Sequence, residues 1–460
     1  MMDQKARKET MIITNTLSLF IKTAIHHWRL AGGGLSGTKV MGKSPSLMRR
    51  QATGFITLPM MSDTNRSMLP KKTGMISNRQ CCCYHHHHPI RFLDEQNVHQ
   101  KDLLATSRYG LDPFTNTYHH PMVYHENYSF QDWPQNHSFS MDKFQKLAQY
   151  LVSTIPCTSS SSFDSQQPNR PLVARYEDFF RPLDVWDIPQ SWFMEPTGPI
   201  ETTYLQRFLT ATLTEKERRY IGFREQTSRP ELIERTLLEV AGTILASQLA
   251  NQFMISTNTA GGTHHAGPNE GAGYTILNDL AITTHFLTNE ELNGGSVKGI
   301  ERVLVVDCDV HQGDGTAKFT NILQGKLFTL SLHCSSNYPR LKAQSTYDVG
   351  LSDNMKDDEY MEILEYSLDK AIHEVDPHFI LYDAGVDVYE HDSLGRLKIT
   401  EDGIRKRDRH VLETCVRLGI PVTGVIGGGY DKDIHALARR HAIVHEEAAA
   451  LWRKYQLWIQ

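Results

Sequence analysis

The chain has 460 residues, 40% of them hydrophobic and 22% charged, an ordinary globular balance that leaves room for one large α/β domain plus an extension. No run of about 18 uninterrupted apolar residues occurs, which argues against a membrane-spanning segment, and seven cysteines without regular spacing fit free thiols in a reducing compartment. The net charge of −5 is unevenly spread: residues 1–91 carry 14 Lys and Arg against Asp3, Glu9 and Asp63, about +11, which leaves about −16 for the remainder. An acidic body attracts a basic, lysine-rich partner rather than nucleic acid, although acidic surface serves solubility equally well.

Residues 1–117 show no sustained helical or alternating period and are rich in Ser, Thr, Met, Gly and basic side chains, so they are expected to form a mostly disordered extension. The basic, hydroxyl-rich start has the composition of an organelle transit peptide as much as of a plain extension. Plastid or mitochondrion therefore stands beside nucleus and cytoplasm as the expected compartment. Cys81–Cys83 and His85–His88 suggest a zinc finger, but adjacent cysteines lack the gaps that tetrahedral chelation needs, and low complexity is the better reading. The folded domain is expected over 118–460, interrupted by a Ser-rich surface loop at 158–170.

From about Glu215 onward, helical and β-branched runs alternate. Helices are predicted over 232–250, 360–374 and 403–418, and strands over 253–257, 303–306, 327–332, 379–382 and 422–426. That alternation implies an α/β fold with a central parallel sheet covered by helices on both faces.

Each predicted strand runs at its C-terminal end into polar, often glycine-marked sequence. The ends read Gly261-Gly262-Thr263-His264-His265, Asp307-Cys308-Asp309-Val310-His311-Gln312-Gly313-Asp314-Gly315, His333-Cys334, Asp383-Ala384-Gly385-Val386-Asp387 and Gly427-Gly428-Gly429-Tyr430. Ligands of open parallel sheets bind beyond the carboxyl ends of strands, so these groups converge on one crevice. Asp309 and His311 alternate with Val310, which points them the same way if the extended geometry persists. With Asp387 they make an oxygen and nitrogen donor set that suits a catalytic zinc with one open position. His264 and His265 are both candidates for the proton acceptor that a metal-activated water requires. Asp307 and Asp314 can each orient one imidazole, and Tyr430 can donate its hydroxyl to an oxyanion. Taken singly, a His-His pair, an Asp-x-His or a glycine triplet is commonplace. Their joint occurrence at successive strand ends is not.

At these residues the sequence resembles the histone deacetylase family, in the arginase/deacetylase-like fold, with the likeness nearest the class IV branch and its bacterial and plant relatives. The resemblance rests on His264-His265, the run Gly273-Tyr274-Thr275-Ile276-Leu277-Asn278-Asp279, the block from Asp307 to Gly315, Asn337-Tyr338-Pro339, Asp387, and Gly427 to Tyr430. It extends upstream through Val123-Tyr124-His125 and Met141-Asp142-Lys143-Phe144. Gln312 and Ala384-Gly385-Val386-Asp387 carry the class IV likeness. The resemblance implies zinc at Asp309, His311 and Asp387, His265 as principal general base and acid, and His264 as an electrostatic aid. It also implies pairing of Asp307 with His264 and of Asp314 with His265, polarisation of the acyl carbonyl by Tyr430, and a lysine tunnel lined by Gly273, Tyr274 and Tyr338.

The activity so implied is zinc-dependent removal of acetyl or longer acyl groups from lysine side chains of histones or other proteins, with co-repressor proteins as possible partners. Three other readings stand beside it: a deacetylase of small acetylated amines or polyamines, a non-catalytic acyl-lysine-binding scaffold, and a binuclear arginase-type enzyme. Retention of the full donor set argues against the scaffold, and the binuclear reading, ranked last, needs more bridging carboxylates than these strand ends offer. Glu201-Thr202-Thr203-Tyr204-Leu205 lacks the histidine that many relatives carry before that Tyr-Leu pair.

Overall fold

The computed structural model describes residues 120–457 apart from 154, 157–168, 171, 174, 175, 186, 195 and 197. The expectations for residues 1–117, including the Cys81–Cys83 and His85–His88 clusters, lie outside the described residues, as does most of the 158–170 loop. The end of that loop is not irregular: Asn169–Arg170 pairs antiparallel with Ile155–Pro156.

In chain order the strands are β1 (Met122–Val123), β2 (Ile155–Pro156), β3 (Asn169–Arg170), β4 (Ile255–Asn258), β5 (Val303–Asp307), β6 (Leu327–Cys334), β7 (Tyr347–Leu351), β8 (Phe379–Asp383) and β9 (Val422–Val425). The helices are α1 (Lys143–Val152), α2 (Thr202–Leu209), α3 (Glu215–Ile221), α4 (Pro230–Phe253), α5 (Asp279–Leu287), α6 (Glu290–Asn293), α7 (Asp314–Phe319), α8 (Asp357–Val375), α9 (Glu401–Leu418) and α10 (Ile434–Lys454). Seven strands form one sheet in the order β1-β4-β9-β8-β5-β6-β7, and every neighbouring pair in it is parallel.

Alternation along β5 explains how both faces are covered. Val303 and Val305 pack into a core shared with α1, α4 and α5, whereas Leu304 and Val306 pack into a second core shared with α8, α9 and α10. Both faces of the strand exclude water, so its sequence is a continuous apolar run rather than an alternating one. Pro230 opens α4 at a position where its missing N–H costs nothing, and the apolar helix then runs to Phe253, which belongs to the helix and not to the following strand. Among the described residues no helix is long and apolar enough to cross a membrane.

Parallel register brings the carboxyl ends together at one edge. Asp307 at the end of β5 stands opposite Asp383 at the end of β8, and Asp383 opposite Val425 of β9. The polar loops that follow these strands are therefore neighbours in space.

Candidate active site

Strand geometry ends at Asp307, so the simple alternation predicted for Asp309 and His311 does not hold. The segment turns instead on its own carboxylates: Asp307 Oδ1 accepts from Asp309 N at 3.1 Å, and Asp309 Oδ1 accepts from His311 N at 2.9 Å. These turns still bring the two side chains together. His311 Nδ1 lies 3.1 Å from Asp309 Oδ1 and 3.1 Å from Asp387 Oδ2, the latter reaching in from the loop after β8. The second oxygen of each carboxylate is fixed by backbone, with Gly428 N donating to Asp309 Oδ2 and Val310 N to Asp387 Oδ1, both at 2.8 Å.

All three side chains are buried, and their donor atoms lie within 4.8 Å of one another. Burial and the Asp309 charge push the Asp387 carboxyl up to about 7. Burial works against a charged His311, yet the two carboxylates raise it to about 10. Two acids and one imidazole thus share too little positive charge, and an oxygen, nitrogen, oxygen set in a dry pocket fits a divalent cation with protein ligands on one side only. Gly428 makes the arrangement sterically possible, because a Cβ there would stand 2.3 Å from Asp387 Oδ2 and 2.5 Å from Asp309 Oδ2.

Two imidazole–carboxylate pairs flank this cluster. His264 Nδ1 lies 2.9 Å from Asp307 Oδ2, and His265 Nδ1 lies 2.7 Å from Asp314 Oδ1, with the two rings 4.2 Å apart. Their electrostatics diverge. Burial disfavours charge on His264, but Asp307 and Asp309 raise its pKa well above the usual histidine range. Burial and the neighbouring His264 charge hold His265 down to about 4. Asp279 supports both from below: it accepts from Gly262 N and Thr263 N, while Asn278 caps α5 by accepting from Ala281 N.

The half-buried Tyr430 ring stands 6.4 Å from the His311 ring and 6.1 Å from Tyr274. Burial, then Asp387 and Asp309, push its phenol well above 10, which keeps it a neutral O–H donor. Tyr274 stacks on Phe223 at 5.6 Å, and Tyr338 meets His265 edge-on at 4.8 Å while remaining 39% exposed. Gly273 has φ +54, and a Cβ there would lie 2.4 Å from the His265 ring, so only glycine admits both the backbone and the imidazole. Gln312 binds elsewhere: its amide donates to Ala343 O and Asp348 Oδ1 and accepts from Ala343 N.

The sequence reading leaves out several residues. Asp383 is fully buried 3.7 Å from His264 Nδ1, and neither of its oxygens has a hydrogen-bond partner. Burial and Asp307 push its pKa well above the usual range. It completes a second buried group of one imidazole and two carboxylates with His264 and Asp307, more acid at these strand ends than a single metal requires. Its significance comes from register with Asp307, which no local pattern reveals. The cavity that holds the cluster also reaches Lys143, Arg235 and Glu239. Arg235 forks onto Glu239 at 2.9 and 2.8 Å, and Lys143 Nζ donates to Gly427 O at 3.2 Å, so the inner wall carries two cations and one anion. The four-residue spacing of Arg235 and Glu239 inside an apolar helix was the available signal.

The candidate groups thus hang together from the carboxyl ends of the parallel strands of an α/β fold. A profile for the histone deacetylase domain matches residues 201–445. The chain belongs to the histone deacetylase family, which is a family of deacetylases. It is 38% identical over 328 residues to an uncharacterized protein of Picosynechococcus, a match covering 71% of this chain and 98% of that protein. It is 31% identical to histone deacetylase 2 of Arabidopsis thaliana, over 42% of this chain and 49% of that protein. With histone deacetylase 8 of Xenopus laevis it shares 29% identity, over 38% of this chain and 54% of that one. The chain thus matches about half the length of these two named deacetylases.

Proposed function

We propose that the protein is a zinc-dependent amide hydrolase that removes an acyl group from a lysine side chain, nearest in kind to the class IV branch. The observation that carries this reading is the buried Asp309–His311–Asp387 donor set lying beside two carboxylate-bound imidazoles of opposite electrostatic bias. Asp309, His311 and Asp387 would hold the cation, which when bound would acidify water and polarise a carbonyl oxygen.

The chain's own groups do the rest. His265, kept neutral by burial, has Nδ1 committed to Asp314, which leaves Nε2 free to take a proton from water and pass it to the departing amine. His264, biased toward the charged form by Asp307 and Asp309, contributes positive potential beside the developing oxyanion. Tyr430 donates its neutral O–H to the same oxygen. Gly273, Tyr274 and Tyr338 flank the entry path of the alkyl stem of an acylated lysine, whose amide nitrogen carries no charge. Behind the cluster, Lys143 and the Arg235–Glu239 pair favour a short carboxylate product over a long hydrocarbon tail, because an apolar chain there would strand buried charge. The acidic body supports a lysine-rich protein tail, such as that of a histone, as substrate.

The test is amine release by the full chain from acetyl-lysine peptide, myristoyl-lysine peptide and acetylated polyamine, with and without chelator. Turnover that chelator abolishes and zinc restores is the expected result. A zinc-loaded protein that turns over none of the three overturns the reading in favour of an acyl-binding scaffold.

A further inference from the structure

Arg407 of α9 lies behind the site, on the opposite side of the strand ends from the catalytic cavity. It is fully buried and the largest of the fully buried side chains. Its guanidinium makes four hydrogen bonds. Nη1 donates to Cys308 O at 3.1 Å and Gly385 O at 2.7 Å, Nη2 donates to Ala384 O at 3.1 Å, and Nε donates to Asp408 Oδ1 at 2.9 Å. Asp408 in turn accepts from Tyr382 OH at 2.6 Å.

The identity of those carbonyls matters. Cys308 immediately precedes Asp309, and Ala384-Gly385 immediately precede Val386-Asp387. One backbone bond joins the two segments just past the sheet, Cys308 N to Asp383 O at 3.0 Å. Beyond it, the Arg407 fork connects the loop bearing Asp309 and His311 to the loop bearing Asp387. Contact between the loops is close: a Cβ on Gly385 would stand 2.3 Å from Asp309 Oδ2, so the backbone at 385 packs directly against the Asp309 carboxylate. The loops carry two acids aimed at a common point, and like charges push such loops apart unless something else holds them.

We infer that Arg407 is a positioning residue for the metal centre: its planar fork fixes the spacing of Asp309 and Asp387 from behind. The inference rests on the metallohydrolase reading above. A rigid fork of five N–H donors suits three carbonyls in two loops. A lysine ammonium keeps the charge but cannot reproduce that geometry, and an apolar side chain leaves three carbonyl oxygens buried without donors.

The test uses the full chain with Arg407→Lys, Arg407→Met and, as a control on the same helix that leaves the fork alone, Arg409→Gln, whose native side chain is exposed and paired with Glu413 and Glu447. Zinc affinity is read by competition with a chromophoric chelator, site geometry by the visible spectrum of the cobalt(II) form, and unfolding midpoints with and without metal. Arg407→Met is expected to weaken zinc binding about 10- to 100-fold, with Arg407→Lys between it and the parent. Both should shift the cobalt spectrum, and Arg409→Gln should stay near the parent in affinity. Should Arg407→Met fail to fold, Arg407→Lys carries the comparison. If the substituted proteins bind zinc within about twofold of the parent and only the metal-free midpoint falls, Arg407 merely packs the core and the inference is overturned. A parent protein that binds no zinc instead removes the metallohydrolase reading itself, and this inference with it.

Discussion

At the strand ends, Asp309 Oδ2 and Asp387 Oδ1 each meet a backbone N–H, and the carbonyls of Cys308, Ala384 and Gly385 meet the Arg407 guanidinium. At the outer side of the site, Tyr338 meets the His265 ring edge-on yet is 39% exposed. The first region is over-determined by hydrogen bonds, whereas the second offers surface that a substrate can remodel. Reaction chemistry demands fixed distances between charged groups, while recognition of differing tails is served by loops that tolerate change.

Substitutions in the two regions should therefore differ sharply in effect. Asp387→Ala is expected to abolish both turnover and zinc retention, read by metal analysis of the purified protein; retained stoichiometric zinc would remove Asp387 from the ligand set. Tyr430→Phe should leave metal content intact while lowering kcat on the order of 10²–10³-fold, because one oxyanion donor is lost. Unchanged kcat would leave Tyr430 without a role in the reaction.

A third prediction concerns the interior beneath the site. His445 donates to or accepts from Thr257 Oγ1 at 2.7 Å, and burial holds its pKa down to about 3. Burial likewise holds His125 down to about 4. Both are neutral in the folded state but titrate near 6.5 when unfolded, so the stability they contribute is complete above that pH and is lost as pH falls from there toward 4. His445→Gln should escape its share of that loss, so its urea midpoint should gain on the parent's as pH falls from about 7.5 to about 5. A difference between the two midpoints that stays constant over that range would contradict the burial argument. At the other extreme, Leu341 is 86% exposed, and Leu341→Ser should leave the unfolding free energy within about 0.5 kcal/mol of the parent. A larger fall in the urea midpoint would show that this side chain packs against the fold.

The parts legible in the sequence were those where structure and periodicity coincide. Runs such as 303–306 and 379–382 announce buried parallel strands because both faces are apolar, and polar residues directly after them announce the crevice. β7 was missed because Tyr347–Leu351 contains Asp348 and Gly350 and lies at a half-exposed sheet edge. α10 was missed because Arg440, His441 and His445 are buried on it, which breaks any clean apolar stripe. Lys143, Asp383 and Arg407 share one difficulty: each meets the site only through residues far away in the chain. Arg407 did leave a trace, since it sits at helical spacing from Ile404 and Val411 on the buried face of α9.

The amide of Gln312 has a consequence for how the protein behaves in a crowded solution. β7 is the last strand of its sheet, and a bare outer edge of that kind invites pairing with other chains. Here the edge is five residues long, is interrupted by Gly350, and has Asp348 drawn in toward Gln312. An approaching strand meets a short, charged and tethered margin, which makes the molecule a poor template for its own aggregation.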